Sequence, residues 1–283
     1  MSPRLGGTLL IIGAACCWSL GGIFTRLTAL DGFTIVFFRS IFLVIAVGLG
    51  LELGYRQKTW QKIKAIGKGG ILSACLLAAT FCFYILSLTH TSVANTVVIM
   101  SMAPLVAAFL AFIFLKEKLE KRALIALGLA FLGMLVMFQE GTANLLGNSL
   151  AFGVAIAFGA NIVVLRRFKN IDMVPANMLA GIIAAVFSFP MANVSAITPH
   201  NLLILAAMGF IQLGLGLFLF TKGSPRLPVA ESGLLTLLES VLAPIWVWVW
   251  LGEKPSPTAF AGGILIIMAV IFLYFPHHKE KHL

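Results

Sequence analysis

Arg39, Glu231 and Glu239 are ionisable side chains inside long apolar stretches of the sequence. In hydrocarbon such a charge costs at least ~2.5–3.5 kcal/mol on insertion scales and marks a functional position by default. Glu239 lies about ten residues into a stretch that begins near 228, which at ~1.5 Å per residue is some 15 Å deep, close to the middle of a ~30 Å hydrocarbon layer. A carboxylate at that depth can hold a cationic group or carry a proton, or it can bond a neighbouring helix. Arg39 enters from the opposite side. Either its long stem lifts the guanidinium to the interface, or the guanidinium faces inward as a fork-shaped anion site. In the second case it lies near enough in depth to Glu239 for both to engage one small zwitterion, or to pair with each other when no solute is present. Glu231 falls in the first turns of its helix, where the dipole favours a carboxylate. Pairing with Arg226 or Lys222 of the adjacent loop would give it a structural or gating role as readily as a solute contact.

The same depth arithmetic puts Trp18, Ser19, Thr80, Phe158, Gln212 and Thr236 near the midplane, which predicts a polar pocket with aromatic walls. Tryptophan usually prefers the membrane interface. At mid-depth it either serves helix packing, as Phe158 also could, or offers a face to a cationic or flat solute. Trp246, Trp248 and Trp250 alternate near one end of their stretch and read as an interfacial belt. Pro104 and Pro244 each remove a helical hydrogen bond, giving static kinks or hinges that bend as the protein works.

Other chemistries find no support. Cys16, Cys17, Cys75 and Cys82 lie in apolar stretches with no paired spacing and no nearby His, so they read as small buried residues and no metal is expected. His90 and His200 sit at loop edges, and His277, His278 and His282 in a basic tail. No HExxH, GxSxG or paired aspartate constellation occurs, and no glycine loop for nucleotide phosphates. The reading is therefore not an enzyme, without cofactor, and powered by a gradient.

The elements that must position these residues follow from composition. The chain has 283 residues, 60% hydrophobic and only 11% charged, with a mean hydropathy of +1.03. Soluble domains carry about 25% charge, so soluble enzyme classes are excluded. Ten apolar segments, near 6–27, 33–53, 69–89, 92–115, 121–139, 147–165, 174–193, 201–221, 228–251 and 257–275, are continuous runs of about spanning length rather than the short alternating strands of a barrel. The expected fold is an all-α integral membrane bundle of ten transmembrane helices. The first segment is not a cleaved signal, since a related segment recurs mid-chain. Seventeen of the twenty Lys and Arg residues fall in loops on the side of the termini, while only Arg26 and Lys254 fall on the other. By the positive-inside rule both termini are cytoplasmic. The net charge of +10 is thus topological, and no nucleic-acid partner is implied.

An internal repeat organises the chain. Residues 13–26 align without gaps on 153–166, pairing Trp18 with Phe158 and Arg26 with Arg166. Val93-Ala94-Asn95 and Glu117-Lys118 match Val229-Ala230-Glu231 and Glu253-Lys254, with an Ala-Pro inside each span. Two units, 1–140 and 141–283, then hold five spans each. An odd number inverts the second against the first, the construction of secondary transporters with a midplane site. A passive channel, the alternative of a different class, would also show polar residues at mid-depth, but inverted five-helix halves without a charged ring or filter sequence favour a carrier. Small-residue clusters at Gly21-Gly22, Gly128 to Gly133, Gly209 to Gly216 and Gly262-Gly263 suit close helix contacts, in a monomer or a homodimer.

The Gly-x-Ala…Trp-Ser start of the first segment, the Ala-Pro of the fourth and ninth, and the ends Leu115-Lys116-Glu117-Lys118 and Leu251-Gly252-Glu253-Lys254 resemble the EamA-type branch of the drug/metabolite transporter superfamily, over nearly the whole chain. That resemblance implies a ten-helix solute carrier whose relatives export amino acids and other small metabolites. The sequence reading is thus a bacterial inner-membrane carrier that exports amino acids by alternating access. Its partners would be a small solute, the bilayer and, as a coupling ion, the proton. Export of cationic drugs and proton-coupled import are the alternatives.

Overall fold

The structure is a computed structural model that describes residues 3–91, 96, 99–117, 120–137, 144–251 and 257–274. Val93-Ala94-Asn95, Lys118, Glu253-Lys254 and the histidines of the basic tail lie outside the described residues, as do the side chains of Arg26 and Pro244. Every described element is helical and no strand occurs among the described residues. Among the described residues seven helices are long and apolar enough to cross a membrane: Pro3–Thr25, Gly32–Tyr55, Gly67–His90, Leu145–Arg167, Val174–Met191, Pro199–Arg226 and Val229–Trp250. Shorter apolar helices, Ala103–Leu115, Lys121–Met137 and Pro257–Tyr274, stand where the fourth, fifth and tenth segments were expected.

Local sequence sets the ends. Asp31 caps Gly32–Tyr55 by accepting from Thr34 N at 2.9 Å and from Thr34 Oγ1 at 2.6 Å. Asn144 accepts from Leu146 N at 2.9 Å and Thr198 from Asn201 N at 3.1 Å, each satisfying a first-turn amide that has no partner inside its own helix.

Contacts between ends show that successive helices run in opposite directions. On one face Arg4 meets Glu231, Tyr55 bonds Asp172, Glu117 meets Arg166, and Arg122 donates to Phe272 O. On the other face Thr34 accepts from Asn193 N and Ser87 donates to Gly147 O. The Leu145–Arg167 helix accordingly starts on the face opposite to the start of Pro3–Trp18.

Three apolar clusters fill the bundle. One joins Gly32–Tyr55, Gly67–His90 and Val174–Ser188. A second joins Pro3–Trp18, Ala103–Leu115 and Leu145–Arg167, and a third Lys121–Met137 with Pro257–Tyr274. Trp18 and Phe158 pack against both the first and the second. Cys75 departs from the expectation of a buried residue: it is exposed, while Cys16 and Cys17 are half-buried and Cys82 is buried.

Among the described residues three passes are interrupted at mid-length. The first breaks at Ser19-Leu20 between Pro3–Trp18 and Gly21–Thr28, the fourth turns at Ser101-Met102, and the ninth at Leu237 between Val229–Thr236 and Leu238–Leu251. At both of the latter the chain tightens to i→i+3 bonding, Met102 N to Ile99 O and Leu237 N to Leu234 O, each 3.1 Å. The turn at Ser101-Met102 immediately precedes the Ala103-Pro104 step, whereas the Leu238–Leu251 helix runs on through Pro244. Pro244 therefore does not mark the break in its span.

Candidate functional site

The interruptions at Ser101-Met102 and Leu237 border a cavity of about 100 Å³. Its wall includes Trp18, Arg39, Thr80, Phe158, Gln212, Thr236 and Glu239, together with Pro104. Seven of the eight residues put forward as solute contacts thus share one space. Ser19 does not line it. Its hydroxyl donates to Cys16 O at 2.7 Å and accepts from Trp246 Nε1 at 2.8 Å, which ties the first interruption to the ninth pass. Trp246 is accordingly drawn inward by an indole N–H that must be satisfied and does not belong to an interfacial belt. Trp248 and Trp250 remain exposed, as a belt requires.

Arg39 reaches the cavity from the Gly32–Tyr55 helix with 1% of its surface exposed, so it does not snorkel. The depth estimate placed it close enough to the surface to escape, but its turn is enclosed. Gly209 lets the Met208–Leu215 segment lie against it, because a Cβ there would stand 2.2 Å from Phe42 Cβ and 2.9 Å from Arg39 O. The guanidinium stacks over Phe81 at 5.9 Å and makes one long 3.4 Å bond from Nη2 to Phe81 O, and Nε has no acceptor. A guanidinium has five N–H donors, so most of this buried group's capacity is uncommitted. Glu239, at the start of Leu238–Leu251, is partly accessible from the cavity. Among the described residues no ion pair joins it to Arg39, so the two do not pair with each other. Tyr84, within electrostatic reach of both, also lines the space.

The apolar wall is aromatic. Trp18 meets Phe158 edge-on at 5.7 Å, Phe220 lies 5.2 Å from Trp18 and 5.3 Å from Phe158, and Trp18 reaches this position over Gly216, where a Cβ would stand 2.5 Å from Trp18 Nε1. Gln212 sits in a π-helical stretch, Met208–Leu215, a departure from α-geometry that is common at functional sites. Its Oε1 is buried without a donor. Thr80 and Thr236 spend their hydroxyls on Leu76 O and Gly233 O at 2.9 and 2.7 Å.

Tyr84, Met100, Ser101 and Ser240 also line the cavity, and the sequence reading did not single them out. Tyr84 was within reach of it, since Leu77, Thr80, Phe81 and Tyr84 recur at the three-and-four spacing of one helix face.

Glu231 lies elsewhere. It is buried near the face that holds Arg4 and pairs with Arg4 at 2.7 Å, not with Lys222, whose partner is Asp172 at 2.9 Å. Beside it Glu117 accepts from Arg166 Nε at 2.7 Å and from Val229 N at 3.3 Å, and Arg166 also donates to Pro225 O at 2.9 Å. Among the described residues no cluster of three His, Cys, Asp or Glu side chains is placed to hold a metal.

A multi-span helical bundle around a central cavity with uncommitted charged groups defines a membrane transporter architecture, and the comparisons agree with it. The EamA-like transporter family matches residues 5–139 and again 145–275, and the chain belongs to that family. Among similar proteins, the transporter YwfM of Bacillus subtilis is 23% identical over 97% of this chain and 95% of its own length. An S-adenosylmethionine uptake transporter of Rickettsia felis is 24% identical over 90% and 88%, and a probable terminal-alkyne amino-acid exporter of Streptantibioticus cattleyicolor is 27% identical over 65% of each. A solved crystal structure shares the fold with a TM-score of 0.83 at 18% identity, covering 96% of this chain and 97% of the other. The protein is therefore a multi-span membrane transporter of the drug/metabolite superfamily, with a small molecule as its cargo.

Proposed function

We propose that the protein is a secondary-active carrier that exports amino acids across the bacterial inner membrane by alternating access. It does so as ten spans in two inverted five-helix units, with both termini cytoplasmic. The observation that carries the reading is the cavity itself: a buried guanidinium with free donors and a carboxylate with no ion pair among the described residues face one space of about 100 Å³ beside an aromatic wall. Buried charges are normally paired. A zwitterion whose carboxylate meets Arg39 and whose ammonium meets Glu239 supplies both missing partners at once, and apolar side-chain atoms would rest on Trp18 and Phe158.

The named relatives suit this. Amino acids and S-adenosylmethionine share an α-ammonium and an α-carboxylate, the part of the solute that Arg39 and Glu239 would read, while direction follows the gradients imposed. Glu239 is also the group placed to exchange a proton for the cargo. Pro104, against the turn at Ser101-Met102, is a hinge for the exchange of accessible faces, and Pro244 is a second one.

The test is charge movement by purified protein in proteoliposomes on a supported membrane, during rapid jumps to amino acids, their decarboxylated amines, organic anions and cationic drugs, with and without a proton gradient. Saturable signals for amino acids, weak for the amines, are expected. Saturable signals confined to cationic drugs would instead make this an exporter of that class.

A further inference from the structure

The connector between Gly32–Tyr55 and Gly67–His90 carries Arg56, Lys58, Lys62, Lys64 and Lys68, five cations in the thirteen residues 56–68 with no acidic residue among them. The other basic stretches on the face that holds Arg4 are interleaved with acids: Glu117 and Glu120 stand among Lys116, Lys121 and Arg122, and Asp172 follows Arg166, Arg167 and Lys169. Glu52, one turn before Arg56, is exposed and pairs with none of the five, and among the described residues no ion pair holds any of them. Positive-inside sorting asks for the cations but not for a stretch free of acids. The connector is nonetheless ordered. Thr59–Ala65 is a short helix whose Ile63 packs on the apolar cluster of the neighbouring passes, and Ile66, just beyond it, is buried there. Trp60 and Lys64, one turn apart, are turned to the outside: Trp60 is 64% exposed and Lys64 Nζ stands 5.4 Å from the centre of its ring. Lys58 and Lys68 are exposed on either side, while Lys62 is half-buried with Nζ 5.4 Å over the Tyr55 ring.

We propose that this connector binds the headgroup of an anionic phospholipid, with the lipid phosphate among Lys58, Lys64 and Lys68 and the indole of Trp60 against the start of the acyl chains. An ammonium offers three donors and a compact charge to phosphate oxygens that can only accept. Tryptophan is at home at the same level, where its ring meets hydrocarbon and its N–H stays wet. A soluble anion fits this surface poorly, because salt screens exposed charges from it. A lipid is already concentrated at the interface, and each Lys or Arg beside an anionic surface strengthens the attraction about fivefold. The site is independent of the cargo, but it is joined to the transport bundle. The connector links the pass of Arg39 to the pass of Thr80 and Tyr84, and Lys62 leads through Tyr55 to Asp172 and Lys222. The lipid composition of the membrane thereby acts on the stability of the two passes that supply one wall of the cavity.

The experiment is lysine acetylation of the purified protein in nanodiscs of phosphatidylcholine, with and without phosphatidylglycerol, read residue by residue by mass spectrometry beside the melting temperature. With phosphatidylglycerol, acetylation of Lys58, Lys64 and Lys68 is expected to slow at least threefold more than that of Lys116, Lys121 and Lys169, which are exposed cations of the same face, and the melting temperature to rise. Glycerol 3-phosphate added to phosphatidylcholine nanodiscs should protect none of them. Replacing the three connector lysines together, Lys58→Gln, Lys64→Gln and Lys68→Gln, should abolish the rise, whereas Lys116→Gln, Lys121→Gln and Lys169→Gln together should keep it. Equal slowing at both sets of lysines overturns the proposal in the wild-type protein alone, since it reports a diffuse surface potential, so misfolding of a variant cannot shield it. Protection by glycerol 3-phosphate as strong as that by the lipid overturns it in favour of a soluble phosphate ligand. A rise that survives loss of the three connector lysines overturns it as well.

Discussion

On the face that holds Arg4, the charges that join helix ends all have partners: both Glu117 oxygens are engaged, by Arg166 and by Val229 N, Lys222 is held by Asp172, and Glu231 by Arg4. In the central cavity Arg39 Nε and Gln212 Oε1 have none, and Glu239 has no ion pair among the described residues. Partly exposed pairs of the first kind contribute roughly 0–1 kcal/mol each and fasten helix ends together. Buried groups of the second kind cost stability unless something completes them. The molecule thus keeps its unsatisfied capacity at mid-depth and satisfies its charges at the edge, the distribution expected when binding occurs inside and closure at a face. Variants that remove a partner should separate the two regions.

The largest effect belongs to Arg39. Arg39→Ala should abolish amino-acid transport, a loss of at least about 100-fold, since a site built around a polar partner strongly rejects a solute left without one. Arg39→Lys keeps the charge but not the planar fork. It should cost amino acids about tenfold or more and their decarboxylated amines little. Equal losses for both would assign Arg39 to packing and remove the contrast between cavity and face. Next comes Glu239→Gln, nearly isosteric, which should lower amino-acid transport about tenfold and flatten its dependence on pH, measured as charge movement from pH 5 to 8. Transport and pH profile both intact would end its role in coupling.

Gln212→Leu sharpens the comparison in another way. Because Oε1 has no partner inside the protein, replacing it with an apolar side chain removes a desolvated group and breaks no internal bond to that oxygen. Thermal stability in detergent should hold or rise, while affinity for amino acids falls several-fold. A clear drop in melting temperature would mean that the amide serves the fold rather than the cargo.

How far the sequence reaches is clearest at these residues. Depth counting along apolar runs brought Trp18, Ser19, Thr80, Phe158, Gln212, Thr236 and Glu239 to one level, because helical rise is fixed and spans cross in nearly straight lines, and all of these but Ser19 line the cavity, together with Arg39, which the count left nearer the surface. It could not tell which side of a helix faces inward where apolar residues lie all round, and so left Arg39 between interface and cavity. Packing of Met208–Leu215 against its turn decided that. Nor could it place Ser19 and Trp246 in one hydrogen bond, since lateral neighbours between distant segments leave no mark on spacing. The expected partner of Glu231 failed for the same reason: Lys222 and Arg226 are near in sequence, but Arg4 is near in space. The interruption at Ser19-Leu20 carries no proline or acidic signal of its own, whereas Pro104 stands in the first turn after the break at Ser101-Met102 and Glu239 in the first turn after the break at Leu237.

At the face the expected effects are small and graded by enclosure. Glu117→Gln keeps an acceptor for Val229 N but weakens the bond to Arg166, and it should change the counterflow rate by two- to fivefold. Modification of a cysteine introduced at Ala108, which lines a separate cavity with Glu117 and Glu231, should become faster in a background without the native cysteines. Arg4→Ala is the smallest. The Arg4 side chain is 58% exposed while Glu231 is 10% exposed, so water screens the pair from one side and replaces the lost partner on the other, and the median for such pairs is about 0–1 kcal/mol. Counterflow should change less than twofold, and melting temperature little. A loss as large as that of Glu239→Gln would show that Glu231 depends on Arg4 as buried charges depend on their partners. The division between a committed face and an uncommitted cavity would then have been drawn one residue too deep.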